Sequence, residues 1–485
     1  MIYQNHPALW IGGLLFIAVA SAFGWGFSLL PWVILLIYPW IKQRNWPHLF
    51  LAFLMMTVTH AYTKTTLPIP LVTPQAHGIG YFSLSDIRRD ESPFGKQIVY
   101  IGTMRYFETD QGEIAKQLPC RIYLKKTNNR PIANCHYLIE GTLTGKQQQI
   151  FVCKPDHKPW LPVSGSFSSA EWRYKAKKKA HLYLKKHFSG SRCLALFSAL
   201  TLGSIEDPQL VKEFRNLGLS HILAISGFHF ALSAAFLLLI LRPFFSKKIA
   251  SFLALLLLSY YAFFLGNSPS VLRAWVAISL FLVGYLVGLR TSGLNALGLG
   301  LIIELLFDPL LISHLGFQLS FLATAAILLL YHPCDTLLQK LFIPRPLKEL
   351  ESMTLVNRHF YLLSSYLRKA LALNAAVHLV ILPACLLHFR NFPLLSSLYN
   401  LFYPLLISLS MIALLAASII DLLLPWLGQG FHHLNLLFTD TLLRMIANPP
   451  IVWTLYGPKE LSISWIFSLW TLCLFLFFTR IDSRP

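Results

Sequence analysis

Acidic residues are scarce in this sequence: 21 Asp and Glu stand among 485 residues, against 41 Lys and Arg. Charge of either sign makes up only 13% of the chain, while 55% is hydrophobic. So little charge cannot cover a soluble globule of this length, and apolar stretches of about 18 residues or more recur along most of it. A polytopic α-helical membrane protein is the fold class to expect. The seven cysteines form no CxxC pair and no Cys/His cluster, so the spacing of a metal site is missing and no metal or cofactor is expected. The first apolar stretch has no Lys or Arg before it, so it reads as a retained helix rather than a cleaved signal.

What charge there is lies unevenly. Between Lys64 and Arg192, 21 Lys and Arg stand against 9 Asp and Glu, which points toward a polyanion, either nucleic acid or anionic lipid. Apolar segments near 8–26, 28–41 and 47–62 place transmembrane helices in residues 1–63. Over 64–166, runs such as KQIVYIG, CRIYLKK and CHYLIEGTLTG mix β-branched, aromatic and charged residues between Gly, Pro and Asn. These spell an inserted small all-β domain of about five strands, the size of an OB-like barrel. Cys120, Cys135 and Cys153 fall inside it, and one disulfide among them is expected if the domain is external. Residues 167–217 read as basic amphipathic or interfacial helices. Within them, 168–189 either rests on a membrane surface, with Trp172, Ala176, Leu182 and Leu184 toward lipid, or touches nucleic acid.

Spans near 218–242, 247–266, 269–289, 292–309, 312–331, 370–390 and 394–424 make residues 218–424 a transmembrane domain. Residues 425–485 then hold re-entrant or transmembrane segments, with a last span at 462–479. Lys42, Arg44, Arg242, Lys247, Lys248, Arg290 and the polar loop 332–369 agree on a cytoplasmic side, which leaves the β domain external.

Several of these spans carry polar groups that lipid cannot satisfy. GLSHILAISGFHFALSAAFLLLI, residues 218–240, holds Ser220, His221, Ser226 and His229. Drawn as one helix, Ser226 and His229 lie about 60° apart while His221 lies about 140° from Ser226. Gly218 and Gly227 would let a second helix approach. Such groups either join helices or line an aqueous path. Arg273 stands one turn into the next polar segment, after Ser268 as an N-cap and Pro269. Three roles are open to it: snorkelling, meeting phosphate beside Ser268 and Ser270, or pairing with Glu304. His314, Gln318 and Ser320 break a third span, and Asn400 and Pro404 a fourth. Discontinuous helices of this kind line cavities.

GLSHILAISGFH, SVLRA, DPLLISHLGFQLSFLA and FPLLSSLYNLFYPLL, in this order, resemble the signature segments of the ComEC competence family, and the likeness covers about residues 8–480. The resemblance implies a channel of the bacterial inner membrane passing single-stranded DNA during natural transformation, with no reaction assigned to the membrane domain. It further implies an external DNA-receptor protein and a cytoplasmic motor ATPase as partners, beside membrane lipids. Carried over by motif, Gly218, Ser220, His221, Ser226, Gly227 and His229 belong to the first segment and Arg273 to the second. Gln318 and Ser320 belong to the third, and Asn400 and Pro404 to the fourth. The β region is similar to the family's external OB-like domain, where basic groups and aromatic faces would hold a strand. Its candidates are Tyr100, Tyr106, Arg121, Tyr123, Lys125, Lys126 and Arg130. The sequence departs from the family at Ser204, where an Asp often follows ALTLG. It also lacks the HxHxDH motif of a metallo-β-lactamase-like domain, so it reads as a short form that needs a separate nuclease. The competing readings are an intramembrane serine hydrolase, with Ser226 and His378 as nucleophile and base, and a small-solute or lipid transporter.

Overall fold

The computed structural model describes residues 6–25, 46–70, 75–92, 95–125, 136–146, 150–156, 160–162, 168–205, 207–225, 227–266, 268–289, 292–343, 353–451 and 453–456, with a few isolated positions between them. Two helices, α1 (Pro7–Ala22) and α2 (Trp46–Thr66), precede a sheet of β1 (Gln75–Ser92), β2 (Gly95–Thr109), β3 (Ile114–Lys125), β4 (His136–Lys146), β5 (Ile150–Pro155) and the short β6 (Leu161–Pro162). The helical part follows: α3 (Ser169–Phe188), α4 (Arg192–Leu202), α5 (Pro208–Asn216), α6 (Ser220–Leu223), α7 (Gly227–Leu241), α8 (Lys247–Leu265), α9 (Pro269–Val287) and α10 (Gly293–Phe307). After a 3-10 turn at Pro309–Ser313 come α11 (Leu315–Leu338), α12 (Leu355–Phe389), β7 (Asn391–Pro393), α13 (Ser396–Leu423), α14 (Pro425–Ala447) and β8 (Thr454–Tyr456). Among the described residues α8, α9, α11, α12 and α13 are long and apolar enough to cross a membrane. The chain is a polytopic helical membrane protein with a small β domain.

The β domain closes on itself. The order β1-β2-β3-β5-β4 returns to β1 through a β1–β4 pairing, and β3 and β5 run parallel. Strand alternation sends Leu118, Cys120, Ile122 and Leu124 of β3 inward, all at most 3% exposed. Trp160 fills the middle, with ring centroids of Tyr100 and Tyr137 at 5.0 and 5.3 Å, both edge-on. Edge-to-face packing suits the ring quadrupoles. Cys120 and Cys153 are free thiols in this core. The expected disulfide is not formed between them. Burial pushes the Cys153 thiol up to about 12 and that of Cys120 well above its usual value. Cys135 lies outside the described residues.

The helix α3 is a strut rather than a float. Ser168 caps it by accepting from the Glu171 amide, and its last turn carries Lys185, Lys186 and His187. Acid at the start and base at the end suit the helix dipole. Leu184 and Phe188 are buried in a core shared with α4, α5, α13 and α14 rather than facing lipid. Trp172 packs on Tyr260 and Phe263 of α8. Of the residues expected toward lipid, Leu182 is the one left bare, at 55% exposed.

Two further corrections concern helix limits. The polar loop read at 332–369 is mostly helix, since α11 runs to Leu338 and α12 starts at Leu355. One of its charges is taken up between those helices: Arg368 pairs with Asp335 at 3.0 Å and donates to the Phe342 carbonyl. The span read at 218–242 is two helices. Gly218 takes φ +70, α6 is one turn, and Ala224 is extended before α7 begins at Gly227.

Candidate functional site

The broken helix, the strut and the barrel meet at one place. Arg173 of α3 donates to the Ser85 carbonyl of β1 at 2.5 Å, and its guanidinium lies 5.7 Å from the Phe263 ring centroid. One turn on, the Lys177 ammonium donates to the Leu265 carbonyl at the C-terminal end of α8, 2.7 Å away. A cation there meets the negative pole of that helix, an interaction of about 0.3–1 kcal/mol. Burial lowers the Lys177 ammonium from its usual range, and the Asp86 carboxylate opposes that shift.

A cavity of about 260 Å³ opens beside these residues. Arg88 from β1 and Lys177, Lys178 and His181 from α3 line one side. Leu223, Ala224 and Ile225 from the helix break line another, with Ser204, Ser268 and Ser270 between. No carboxylate lines it among the described residues, although Asp86 holds Arg88 at 3.0 Å from outside. The cavity is therefore cationic and hydroxylated, and the break between α6 and α7 forms part of its wall. Lys177, Lys178, Arg88 and Ser204 were not among the expected path residues. Lys177 and Lys178 were legible as part of a basic run, but only the packing of α3 selects them from their neighbours.

The remaining motif residues sort into three sets. Ser220 and His221 are exposed and His229 is buried. The His378 ring donates from Nδ1 to the Asn374 carbonyl, so Nε2 accepts from the Ser396 hydroxyl at 3.2 Å. The base assigned to a hydrolase is thus engaged with a buried serine of α13. Ser226 lies outside the described residues. Gly218, not Gly227, is the position of close approach: a Cβ on Gly218 would sit 2.4 Å from Ser396 Cβ, while Gly227 faces open space.

Arg273 lies in the second turn of α9, with Ser268 capping by accepting from the Val271 amide. Its guanidinium is 5.7 Å from the Phe321 ring centroid, and the carboxylate it faces is that of Glu304, which is wholly buried. Two of its nitrogens and both Glu304 oxygens have no hydrogen-bond partner. The two groups thus lie opposite each other without a direct hydrogen bond between them. Gln318 donates to the Ile312 carbonyl at 2.8 Å and so secures the 3-10 turn before α11. Ser320 gives its carbonyl to Thr324. In α13, Pro404 lacks the amide that would reach the Asn400 carbonyl, and Asn400 Oδ1 is buried without a partner.

In the barrel, Tyr100 is wholly buried. Its pairing with Ile122 places it on the inner face, which removes it from any stacking surface. Tyr106 and Tyr123 are each 37% exposed on β2 and β3, with Arg121 beside them partly exposed. The Tyr106 hydroxyl donates to Glu108. Lys125 ends β3. Lys126 and Arg130 lie outside the described residues.

Against known proteins, the model of the competence protein family matches residues 200–481. The chain belongs to that family. ComE operon protein 3 of Bacillus subtilis (strain 168) is 31% identical over 262 residues, covering 52% of this chain and 32% of that protein. The match thus spans about a third of the relative's length. No solved structure matches the chain. The family match begins inside α4 and takes in the helix break, Arg273, Gln318 and Asn400, so all four motif segments fall within it. The barrel, α3 and its lysines precede it.

Proposed function

We propose that the chain is a channel of the bacterial cytoplasmic membrane that passes single-stranded DNA inward during natural transformation. The observation that carries this reading is the cationic cavity, where the barrel, α3 and the break before α7 converge. A translocated strand needs phosphate contacts that hold and release, and hydroxyls that exchange with its hydration. Arg88, Lys177 and Lys178 supply the first, and Ser204, Ser268 and Ser270 the second. Tyr106, Arg121 and Tyr123 offer a stacking and charge track on the OB-like barrel leading toward it. A role in competence rather than catalysis also follows the family.

An external DNA receptor, a cytoplasmic motor ATPase and a separate nuclease belong to this proposal, as does a barrel on the external face. The test is internalisation of labelled DNA by cells with and without the gene, scored apart from surface-bound DNA. Loss of internalisation with surface binding retained is expected. Equal internalisation in both strains overturns the reading.

A further inference from the structure

Three side chains that no sequence motif connects meet between α3, α13 and α14. His187 stands in the last turn of α3, Asp421 near the end of α13 and His432 in the second turn of α14. One ligand-capable atom from each lies within 4.8 Å of the other two. The side chains of His187 and Asp421 are 5% and 9% exposed, and His432 is 2% exposed. The two imidazole rings lie face to face at 4.3 Å, tilted by 33°.

The hydrogen bonds here are incomplete in a telling way. The Tyr183 hydroxyl lies 3.1 Å from Asp421 Oδ2 and 3.0 Å from His432 Nε2. It has one proton, which the carboxylate takes, so its oxygen accepts from the His432 Nε2–H. That tautomer leaves a lone pair on His432 Nδ1. His432 Nδ1, His187 Nε2 and Asp421 Oδ1 are each buried with no hydrogen-bond partner. No Lys or Arg pairs with Asp421 among the described residues, and the neighbouring Lys186 is exposed. His187 Nε2 lies 3.4 Å from Asp421 Oδ2, so a buried carboxylate and two imidazoles converge as a donor set that a cation would complete.

We propose that His187, Asp421 and His432 bind one divalent first-row transition ion, zinc by the chemistry of the ligands. Two nitrogens and one carboxylate oxygen suit zinc at bond lengths of about 2.0–2.2 Å, with a fourth position for water. Calcium and magnesium prefer oxygen-only shells. Tyr183 would orient both Asp421 and His432, as groups behind metal ligands do. The ion would fasten the far end of α3 to the α13–α14 hairpin, and so hold the strut that carries Lys177 and Lys178. This inference does not depend on what the cavity passes.

The test uses the full-length protein in detergent, purified with a tag free of histidine, stripped with chelator and then titrated with cobalt(II) and with zinc(II). One equivalent is expected, with the visible ligand-field bands of tetrahedral cobalt. His432→Gln and Asp421→Asn should each lose that equivalent while the size-exclusion profile and helical circular dichroism stay unchanged. Tyr183→Phe should keep it with affinity weakened about tenfold or more. His187→Gln, at a helix end, serves as the ligand variant if the two core substitutions misfold. A wild-type protein that takes up no equivalent of either metal overturns the proposal, and so does uptake undiminished in the ligand variants.

Discussion

At Gly218 the first and fourth competence segments are pressed together. Its φ of +70 and the 2.4 Å that would separate its Cβ from Ser396 Cβ admit no side chain. Gly218→Ala is expected to destabilise the protein by about 1–3 kcal/mol, read as a lower thermal midpoint in detergent. Ser396→Gly should restore part of the loss, since it removes the clash but not the backbone strain. A G218A protein as stable as wild type would remove the close approach from the account. A second residue with a legible consequence is His77, which bridges Asp156 at 2.5 Å and Asp110 at 2.8 Å on the barrel surface. The Asp156 and Asp110 hydrogen bonds raise its imidazole from 6.5 to about 8. A raised histidine stabilises fully below the unfolded value and loses that contribution as pH rises through the folded one. The stability difference between wild type and His77→Asn should therefore be larger near pH 6 than near pH 9. A difference that does not change with pH would sink this assignment.

At the scale of elements, α9 and α10 hold the Arg273 and Glu304 charges that face each other. If they are structural partners, Arg273→Ala and Glu304→Ala should impair DNA internalisation to a similar degree, and exchanging the two residues should recover it. Damage confined to Arg273→Ala would return the phosphate role to that residue. Helix existence was readable from composition, and α8, α9 and α13 fall within a few residues of their expected limits. The break before α7 was not readable as a break. Ser220, His221 and His229 announced polarity, but a wheel drawn through Ala224 assumed a continuous helix, and the extended backbone of Ala224 interrupts it. Tyr100 was misread for the opposite reason. Its hydroxyl suggested a surface, yet strand parity sets the face, and parity needs the register with Ile122. The thiols follow the same logic. Cys120 and Cys153 should resist maleimide in the folded protein and label on denaturation without reductant; a need for reductant would restore the disulfide. The His187, Asp421 and His432 set was beyond sequence reading altogether, since it joins residues more than two hundred positions apart.

For the whole molecule, binding of single-stranded DNA to the full chain should be indifferent to base sequence and weaken steeply between about 50 and 200 mM salt. Replacing both Lys177 and Lys178 by Ala should flatten that salt dependence by about one unit of slope for each phosphate left without its lysine. It should also reduce internalised DNA while protein abundance in the membrane stays normal. Binding that survives high salt, or a slope unmoved by the double variant, would take the cavity out of the phosphate path.

Among the described strands of the barrel, each of β1 to β5 already has a neighbour on both sides. Where the ring is closed, a strand has no margin at which another chain can add itself through backbone hydrogen bonds. Recognition there runs through side chains and loops, and it can be tuned, or abolished, one substitution at a time without disturbing the fold beneath it. Among the described residues, the half of β1 beyond Ser83 pairs with β2 alone, so any strand-to-strand joining of copies of the domain would have to start on that arm.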